Sequence, residues 1–344
     1  MKAEPAPDVR AMARQRTPAE ALKNPHTYKL RRLRALTQYG FFALFLLAPI
    51  FNLLRFDLTE RQLWFLGMRW SLGLDALVAG QISATDAAWS LVLRAFVPGL
   101  LLVTVFLGIA YRYGRLYCGW LCPHFSVVES LNKLLHRTCG KFSLWDKQRT
   151  PLANVPGISR PQPHLWPLFA LSCLSMGFVW AITLLTYLLP PEIIWSNLWH
   201  GTLTGNQARF IGIATLVFSA DFAFARHLFC RFGCAVGLFQ SLAWMANPRA
   251  LVVSFDRARA RDCKTCDAPR GSACDSVCPM RLQPRNIKRK MFSCVQCGQC
   301  LDACDTTQTA QQRQPNLEWQ VGADALRETL RQRVQSASSQ SAPD

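Results

Sequence analysis

The sequence is poor in charged residues, and acidic residues are the scarcer kind. Only 17% of its 344 residues are charged, against roughly 25% in typical soluble domains. This deficit disfavours an ordinary cytosolic enzyme, and a hydrophobic share of 50% excludes a disordered chain. Lys and Arg outnumber Asp and Glu by 39 to 21, so the formal net charge is +18. No nucleic-acid recognition motif accompanies the basic residues, so we expect no nucleic-acid partner.

Long apolar runs predict four membrane spans, at residues 35–54, 89–110, 165–189 and 210–229. A helix of twenty residues rises about 30 Å, which is the thickness of the bilayer's hydrocarbon core. The fourth run is the weakest because it contains Asp221 and Arg226. An acidic residue inside a span needs a partner, and Arg94 and Arg226 are the candidates for Asp221.

The distribution of basic residues predicts the orientation of these spans. Residues 1–34 contain nine, residues 111–164 contain eight, and the chain from Arg226 onward contains seventeen, whereas residues 190–208 contain none. Because loops rich in Lys and Arg stay in the cytoplasm, both termini are expected there. The 62–82 stretch is amphipathic and is predicted to lie on the outer face of the membrane.

The predicted fold class is mainly α, with a four-helix transmembrane bundle and a cytoplasmic, ferredoxin-like α+β domain that holds two clusters. Residues 1–34 are predicted to form a flexible basic tail and residues 35–250 the membrane domain. Residues 251–310 are predicted to form the ferredoxin-like domain. A polar tail over 311–344 follows, with one short helix near 323–334.

The fourteen cysteines are clustered, which is typical of metal ligands rather than disulfides. Cys294, Cys297, Cys300 and Cys304 have the C-x2-C-x2-C-x3-C spacing of a bacterial ferredoxin. An earlier run has the same pattern with five extra residues before its third cysteine, and it contains Cys263, Cys266, Cys274 and Cys278.

In two-cluster ferredoxins, the fourth cysteine of each run binds the cluster of the other run. This rule assigns cluster one to Cys263, Cys266, Cys274 and Cys304, and cluster two to Cys294, Cys297, Cys300 and Cys278. Each is predicted to be a [4Fe–4S] cluster. The alternative is a pair of structural zinc sites, because CxxC pairs also bind zinc. Asp305 follows the second run where Pro279 follows the first.

Two CxxxC pairs, Cys118 with Cys122 and Cys230 with Cys234, follow the second and fourth predicted spans. Their matching positions indicate a weak duplication of two spans, a CxxxC pair and a surface helix. Together the four thiols are a candidate additional redox or metal site, which could hold another cluster, bind copper(I) or exchange disulfides. The alternative is that they are inert. Cys139 and Cys173 stand alone, and the six histidines show no spacing typical of haem or zinc ligands.

Residues 114–123 read GRLYCGWLCP. Together with the second CxxxC pair and both ferredoxin runs, this stretch resembles the NapH/CcoG-type membrane polyferredoxins, a family that includes NapH, NosR and MauN. One departure is Ala235, which follows the second pair where the family often has proline. The resemblance implies electron transfer from quinol or cytoplasmic donors toward periplasmic redox enzymes, or a role in their assembly. CcoG-like members are associated with copper reduction.

We therefore expect a multi-pass protein of the bacterial inner membrane that relays electrons between a quinol or redox-protein donor and a periplasmic or membrane oxidoreductase. The expected cofactors are two [4Fe–4S] clusters, with a further cluster or copper at the CxxxC pairs. An electron carrier is expected rather than a stand-alone enzyme. The alternatives are a respiratory-enzyme assembly factor that binds or reduces copper through its CxxxC thiols, and a zinc-stabilised scaffold.

Overall fold

The computed structural model describes residues 25–60, 62–146, 161–266 and 272–340. The fold is mainly helical, and two small antiparallel sheets complete it. The helices are α1 (Pro25–Leu47), α2 (Leu74–Val78), α3 (Ala84–Leu91), α4 (Val97–Tyr113), α5 (Leu116–Trp120), α6 (Pro123–Cys139), α7 (Trp166–Thr186), α8 (Pro191–His200), α9 (Gly205–Ala220), α10 (Ala235–Ala246), α11 (Ala273–Ser276), α12 (Gln299–Thr309) and α13 (Ala323–Gln340). The strands are β1 (Leu54–Asp57), β2 (Gln62–Phe65), β3 (Met68–Trp70), β4 (Val252–Phe255) and β5 (Leu317–Gln320).

Three helical segments within the described ranges are long and apolar enough to cross a membrane, at residues 84–113, 163–186 and 205–225. They overlap the predicted spans 89–110, 165–189 and 210–229, so those three predictions are confirmed as membrane-length apolar helices. The π-helical turn Val92–Phe96 joins α3 to α4, and a second π turn, Asp221–Ala225, extends α9. The chain is accordingly a membrane protein.

The predicted first span at 35–54 is not among these candidates. Helix α1 begins at Pro25 and ends at Leu47, so its apolar part is only about 20 Å long. Pro49 explains the early end, because a helix usually stops at or before the residue preceding a proline. Helix α1 also includes residues 25–34 of the segment predicted as a tail, and residues 1–24 lie outside the described ranges.

The predicted amphipathic stretch at 62–82 forms part of a three-stranded antiparallel sheet in the order β1-β2-β3, followed by α2. Leu54 pairs with Phe65, and Leu63 pairs with Trp70. The sheet lies against the C-terminal end of α7, because the Phe56 and Leu58 amides donate to carbonyls at residues 187 and 188.

Helices α7 and α9 pack against each other along their length. The two helices are in close contact at Gly177, where an added Cβ would lie 2.4 Å from Ser219 Oγ. Helix α4 is different, because Leu100, Leu101 and Leu102 are each at least 63% exposed. An apolar helix with an exposed surface suits contact with lipid tails.

The cysteine-rich part of the chain contains short helices and the two-stranded sheet β4-β5. Strand β5 and helix α13 both lie in the segment predicted as a polar tail. Leu317 of β5 is only 3% exposed and packs with Cys274, Cys300 and Cys304, so this strand helps to bury the ferredoxin-type cysteines.

Candidate metal centres

The structure brings Cys263, Cys266, Cys274 and Cys304 to the lining of one small cavity, which we call the first site. Cys263 lies on the 3-10 turn Ala260–Thr265, Cys274 lies on α11, and Cys304 lies on α12. These are the four residues that the crossed ferredoxin rule assigns to cluster one. The geometry therefore suits that assignment, which remains a prediction until a cluster is observed.

Every sulfur of the first site has a hydrogen-bond partner. The contacts are Asn316 N to Cys304 Sγ at 3.3 Å, Asn316 Nδ2 to Cys263 Sγ at 3.5 Å, Gln308 Nε2 to Cys266 Sγ at 3.5 Å, and Ser272 Oγ to Cys274 Sγ at 3.1 Å. Asn316 and Gln308 are almost completely buried. Hydrogen bonds to ligand sulfurs orient the ligands and tune the reduction potential of a metal centre.

Cys278, Cys294, Cys297 and Cys300 form the second site. The first three are partly buried and pack against one apolar cluster. Burial raises the pKa of Cys300, and the neighbouring thiols Cys297, Cys294 and Cys278 raise it further. Cys300 packs with Cys274 and Cys304, so the first and second sites adjoin. Two residues between these cysteines have left-handed backbones, Gln296 with φ 51° and Gly298 with φ 75°. These conformations turn the chain tightly enough for the closely spaced cysteines to face one centre.

Cys118, Cys122, Cys230 and Cys234 also come together, and we call this group the CxxxC site. Cys118, Cys122 and Cys230 pack in one apolar cluster. Burial raises the pKa of Cys230, and the neighbouring thiols Cys122, Cys118 and Cys234 raise it further. Cys122 is the N-cap of α6 and Cys234 is the N-cap of α10, so the two pairs occupy equivalent places in the two halves. The structure therefore unites two pairs that are more than a hundred residues apart in the sequence.

The CxxxC site is in direct contact with the second site. A Cβ added to Gly119 would lie 2.3 Å from Val295 O and 3.3 Å from Cys297 Cβ, so only glycine fits there. The Trp120 indole donates to Gln296 O at 3.0 Å. Backbone from the first CxxxC pair thus packs on the loop that supplies cysteines to the second site.

Arg34 and Glu129 hold α1 and α6 together at this point. Arg34 donates to Gly119 O at 3.0 Å and forms a largely buried ion pair with Glu129. Burial opposes ionisation of Glu129, but attraction to Arg34 and the hydrogen bonds outweigh it. The pKa of the Glu129 carboxyl is therefore lowered. The pair stays charged and fixes the helix that follows the first CxxxC pair.

Sequence reasoning missed His124. Its Nδ1 lies 3.4 Å from Cys230 Sγ, and its Nε2 forms a 2.6 Å hydrogen bond with Asp221 Oδ2. The expectation that Asp221 pairs with Arg94 or Arg226 is therefore wrong. Those two arginines donate to backbone carbonyls instead. The available signal was the position of His124, two residues after Cys122 in the CxxxCP stretch.

A cavity of about 960 Å³ adjoins the second site, and Cys278 and Cys297 form part of its wall. Several buried polar atoms of lining residues have no hydrogen-bond partner, namely Asn132 Oδ1, Arg226 Nη2, Asp302 Oδ1 and both ring nitrogens of His227. Asn132 is 7% exposed and Arg226 is 2% exposed. These atoms are closed off from the open space, whereas the wall of the cavity combines apolar residues with exposed polar ones such as Tyr39 and Lys133, which suits a polar-headed apolar ligand.

The donor sets fit iron–sulfur clusters. Each ferredoxin-type site offers four thiols, and burial raises the pKa of Cys274 and of Cys294 to about 12. Such thiols stay protonated when free, whereas a coordinated metal deprotonates them outright. Within the described part of the chain, no three His, Cys, Asp or Glu side chains converge tightly enough to bind a single metal ion.

A family model described as a 4Fe-4S binding domain matches residues 95–141. This range contains Cys118 and Cys122 and none of the eight cysteines of the ferredoxin-type runs. The chain is an iron–sulfur binding protein. The match falls on the CxxxC stretch, which the sequence analysis left open between several roles.

Three curated proteins show distant similarity. The chain is 23% identical over 192 residues to the uncharacterised protein MJ0750 of Methanocaldococcus jannaschii, which covers 56% of this chain and 69% of that protein. It is 23% identical over 239 residues to "Putative electron transport protein YccM" of Escherichia coli, covering 68% of this chain and 58% of YccM. It is 26% identical over 230 residues to protein RdxA of Cereibacter sphaeroides, covering 62% of this chain and 45% of RdxA. No solved structure matches.

Proposed function

We propose that this chain is an electron-transfer protein of the bacterial inner membrane, similar to the NapH/CcoG-type polyferredoxins, with two [4Fe–4S] clusters in a cytoplasmic domain. The observation that carries the proposal is the convergence of Cys263, Cys266, Cys274 and Cys304 on one cavity with a hydrogen-bond partner for every sulfur. The similarity to a protein named for electron transport supports it.

When bound, the clusters supply one-electron redox chemistry. The residues of this chain set the conditions for it. Asn316 and Gln308 donate hydrogen bonds to sulfurs of the first site, which favours the more negative, reduced state. Leu317 and its apolar neighbours restrict water at the same place. The direct contact between the first and second sites provides a short route from one to the other.

Both termini are proposed to be cytoplasmic, which requires α1 to act as a fourth crossing. The contacts of α1 support this. Near the middle of α1, Arg34 pairs with Glu129 of α6, and near its end, Phe45 O accepts from Tyr187 Oη just beyond α7. These contacts hold the C-terminal half of α1 against α6 and against the end of α7. Reporter fusions at residue 344 and within 190–208 are expected on opposite sides of the membrane, and fusions on the same side would contradict the four-span topology.

The proposed electron donor is a quinol that binds in the cavity beside the second site. Exposed polar side chains of the cavity wall, such as Tyr39 and Lys133, can donate hydrogen bonds to a quinone oxygen. Apolar lining residues such as Phe142 and Leu228 suit the ring and tail. Electrons from the donor then cross only the cavity wall, which includes Cys278 and Cys297. The acceptor is proposed to be a periplasmic or membrane oxidoreductase.

The test uses the full chain, purified anaerobically in lipid nanodiscs. A short-chain quinol should reduce its iron–sulfur clusters, followed by visible absorbance and electron paramagnetic resonance. In Tyr39→Phe/Lys133→Met, reduction by the quinol should slow at least tenfold, while reduction by dithionite should be unchanged. Equal quinol rates in both proteins would remove the cavity as the donor site, and a chain purified without iron and sulfide would refute the electron-transfer function itself.

A further inference from the structure

We propose that Cys118, Cys122, Cys230 and Cys234 bind a third [4Fe–4S] cluster, placed between the second site and the membrane helices. The inference goes beyond the two ferredoxin-type clusters and rests on the proposed function only for the idea that electrons pass between centres. It assigns a cofactor to the four thiols, whose role the sequence leaves open.

The donor set has four thiols, two of them buried and two partly buried. Four cysteines, two from each half of the chain, meet where α5 leads to α6 and where a π turn leads to α10. Cys118 and Cys230 are less than 10% exposed, and both pack in one apolar cluster with cysteines of the second site. Four cysteines are the usual ligand set of a [4Fe–4S] cluster.

Arg115 provides a buried positive charge at the same place. It is 2% exposed, its Nη2 donates to Cys230 O at 2.7 Å, and its Nε has no hydrogen-bond partner. A Cβ added to Gly237 would lie 2.1 Å from Arg115 Nη2, so α10 has a glycine where the guanidinium must fit. Burying a cation is costly unless an anion offsets it. Described residues offer no carboxylate ion pair to Arg115, and a cluster bound by four thiolates is the anion that fits.

The family match favours a cluster over a single copper(I) or zinc ion. The family model for a 4Fe-4S binding domain falls on the same stretch of chain, around the first CxxxC pair.

The third cluster would adjoin the second site. Gly119 lies between Cys118 and Cys122 and touches Cys297, and the neighbouring Trp120 bonds to the carbonyl of Gln296. The two ferredoxin-type sites also adjoin, at Cys274 and Cys300. The three sites therefore form a continuous row that runs from the first site to the ends of the membrane helices.

The experiment counts iron and sulfide in the full chain, purified anaerobically in lipid nanodiscs. Wild type should contain about twelve irons per chain, and the double variant Cys118→Ala/Cys234→Ala should contain about eight. The matched control is Cys139→Ala/Cys173→Ala, which removes the two isolated cysteines and should keep about twelve. Mössbauer and electron paramagnetic resonance spectra of the two remaining clusters report whether the variant still folds.

About eight irons in both wild type and the Cys118→Ala/Cys234→Ala variant would overturn the third cluster and leave the proposed function intact. If, in addition, wild type binds copper(I) and the variant does not, the site would be assigned to copper instead. Wild type without iron would overturn both proposals. If the double variant loses all its clusters, Cys122→Ala alone is measured, and its retention of all twelve irons would overturn the inference.

Discussion

Gly119 is the residue at which the packing of the CxxxC site on the second site can be tested most sharply. In Gly119→Ala, the new Cβ would lie 2.3 Å from Val295 O, which is a backbone atom and cannot rotate away. Helix α5 and the loop of the second site must therefore separate by about 1.1 Å to restore an ordinary contact. The Arg34 and Gln38 hydrogen bonds to Gly119 O would be stretched by the same movement.

The expected loss in the free energy of unfolding follows from two opposing effects. Overpacking a tightly packed contact destabilises by about 1–3 kcal/mol, while alanine gains up to about 1 kcal/mol over glycine inside a helix. We expect a net loss of about 1–2 kcal/mol for Gly119→Ala. The loss should be concentrated at the second site, because Cys297 is the cysteine that the new methyl group meets.

The assay compares melting temperature and the rate of iron loss to a chelator. Gly40→Ala is the matched control, since Gly40 lies inside α1 and has no atom within 4 Å of the added Cβ. Gly119→Ala should melt lower and release iron faster than wild type, while Gly40→Ala should equal or exceed wild type in stability. If the two variants behave alike, the close contact between the sites does not exist as described.

Two further changes test single interactions. Glu129→Gln leaves Arg34 as a buried cation without its ion pair and should lower the free energy of unfolding by about 3 kcal/mol. The double variant Arg34→Met/Glu129→Leu should regain most of this loss. A melting temperature that is lower in the double variant than in Glu129→Gln would contradict this. A His124 imidazolium, paired with the Asp221 carboxylate through Nε2, donates from Nδ1 to Cys230 Sγ. His124→Phe removes this donor and should lower the midpoint potential of the CxxxC centre in a redox titration, since hydrogen bonds donated to sulfur stabilise the reduced state. An unchanged midpoint would show that His124 does not tune this centre.

Hydropathy was sufficient to predict the central membrane helices, because uncharged runs such as 165–189 have few alternative structures. It failed at the first predicted span, where the run continues to residue 54 but the helix ends at Leu47. Composition carries no information on a helix end, whereas the backbone restriction before Pro49 does. The proline rule would have given the correct boundary.

Cysteine spacing indicated which cysteines belong together, because ligands of one cluster must reach a common centre within a few residues of chain. The partners that come from distant segments could not be predicted in the same way. His124 and Asp221 are 97 residues apart, and Asn316 reaches the first site from a segment that looked like a polar tail. Such contacts depend on how helices and strands pack, and no local period in the sequence encodes them.

The central claim is that two ferredoxin-type clusters are bound crosswise in an electron-transfer protein. The most direct measurement is the electron paramagnetic resonance spectrum of the dithionite-reduced chain in single cysteine variants. Cys263→Ala defines the signal of the first site, and Cys294→Ala defines that of the second. Cys304→Ala should then lose the same signal as Cys263→Ala, because both cysteines line one cavity. Loss of the Cys294→Ala signal instead, or a wild-type chain with no cluster signal, would contradict the account.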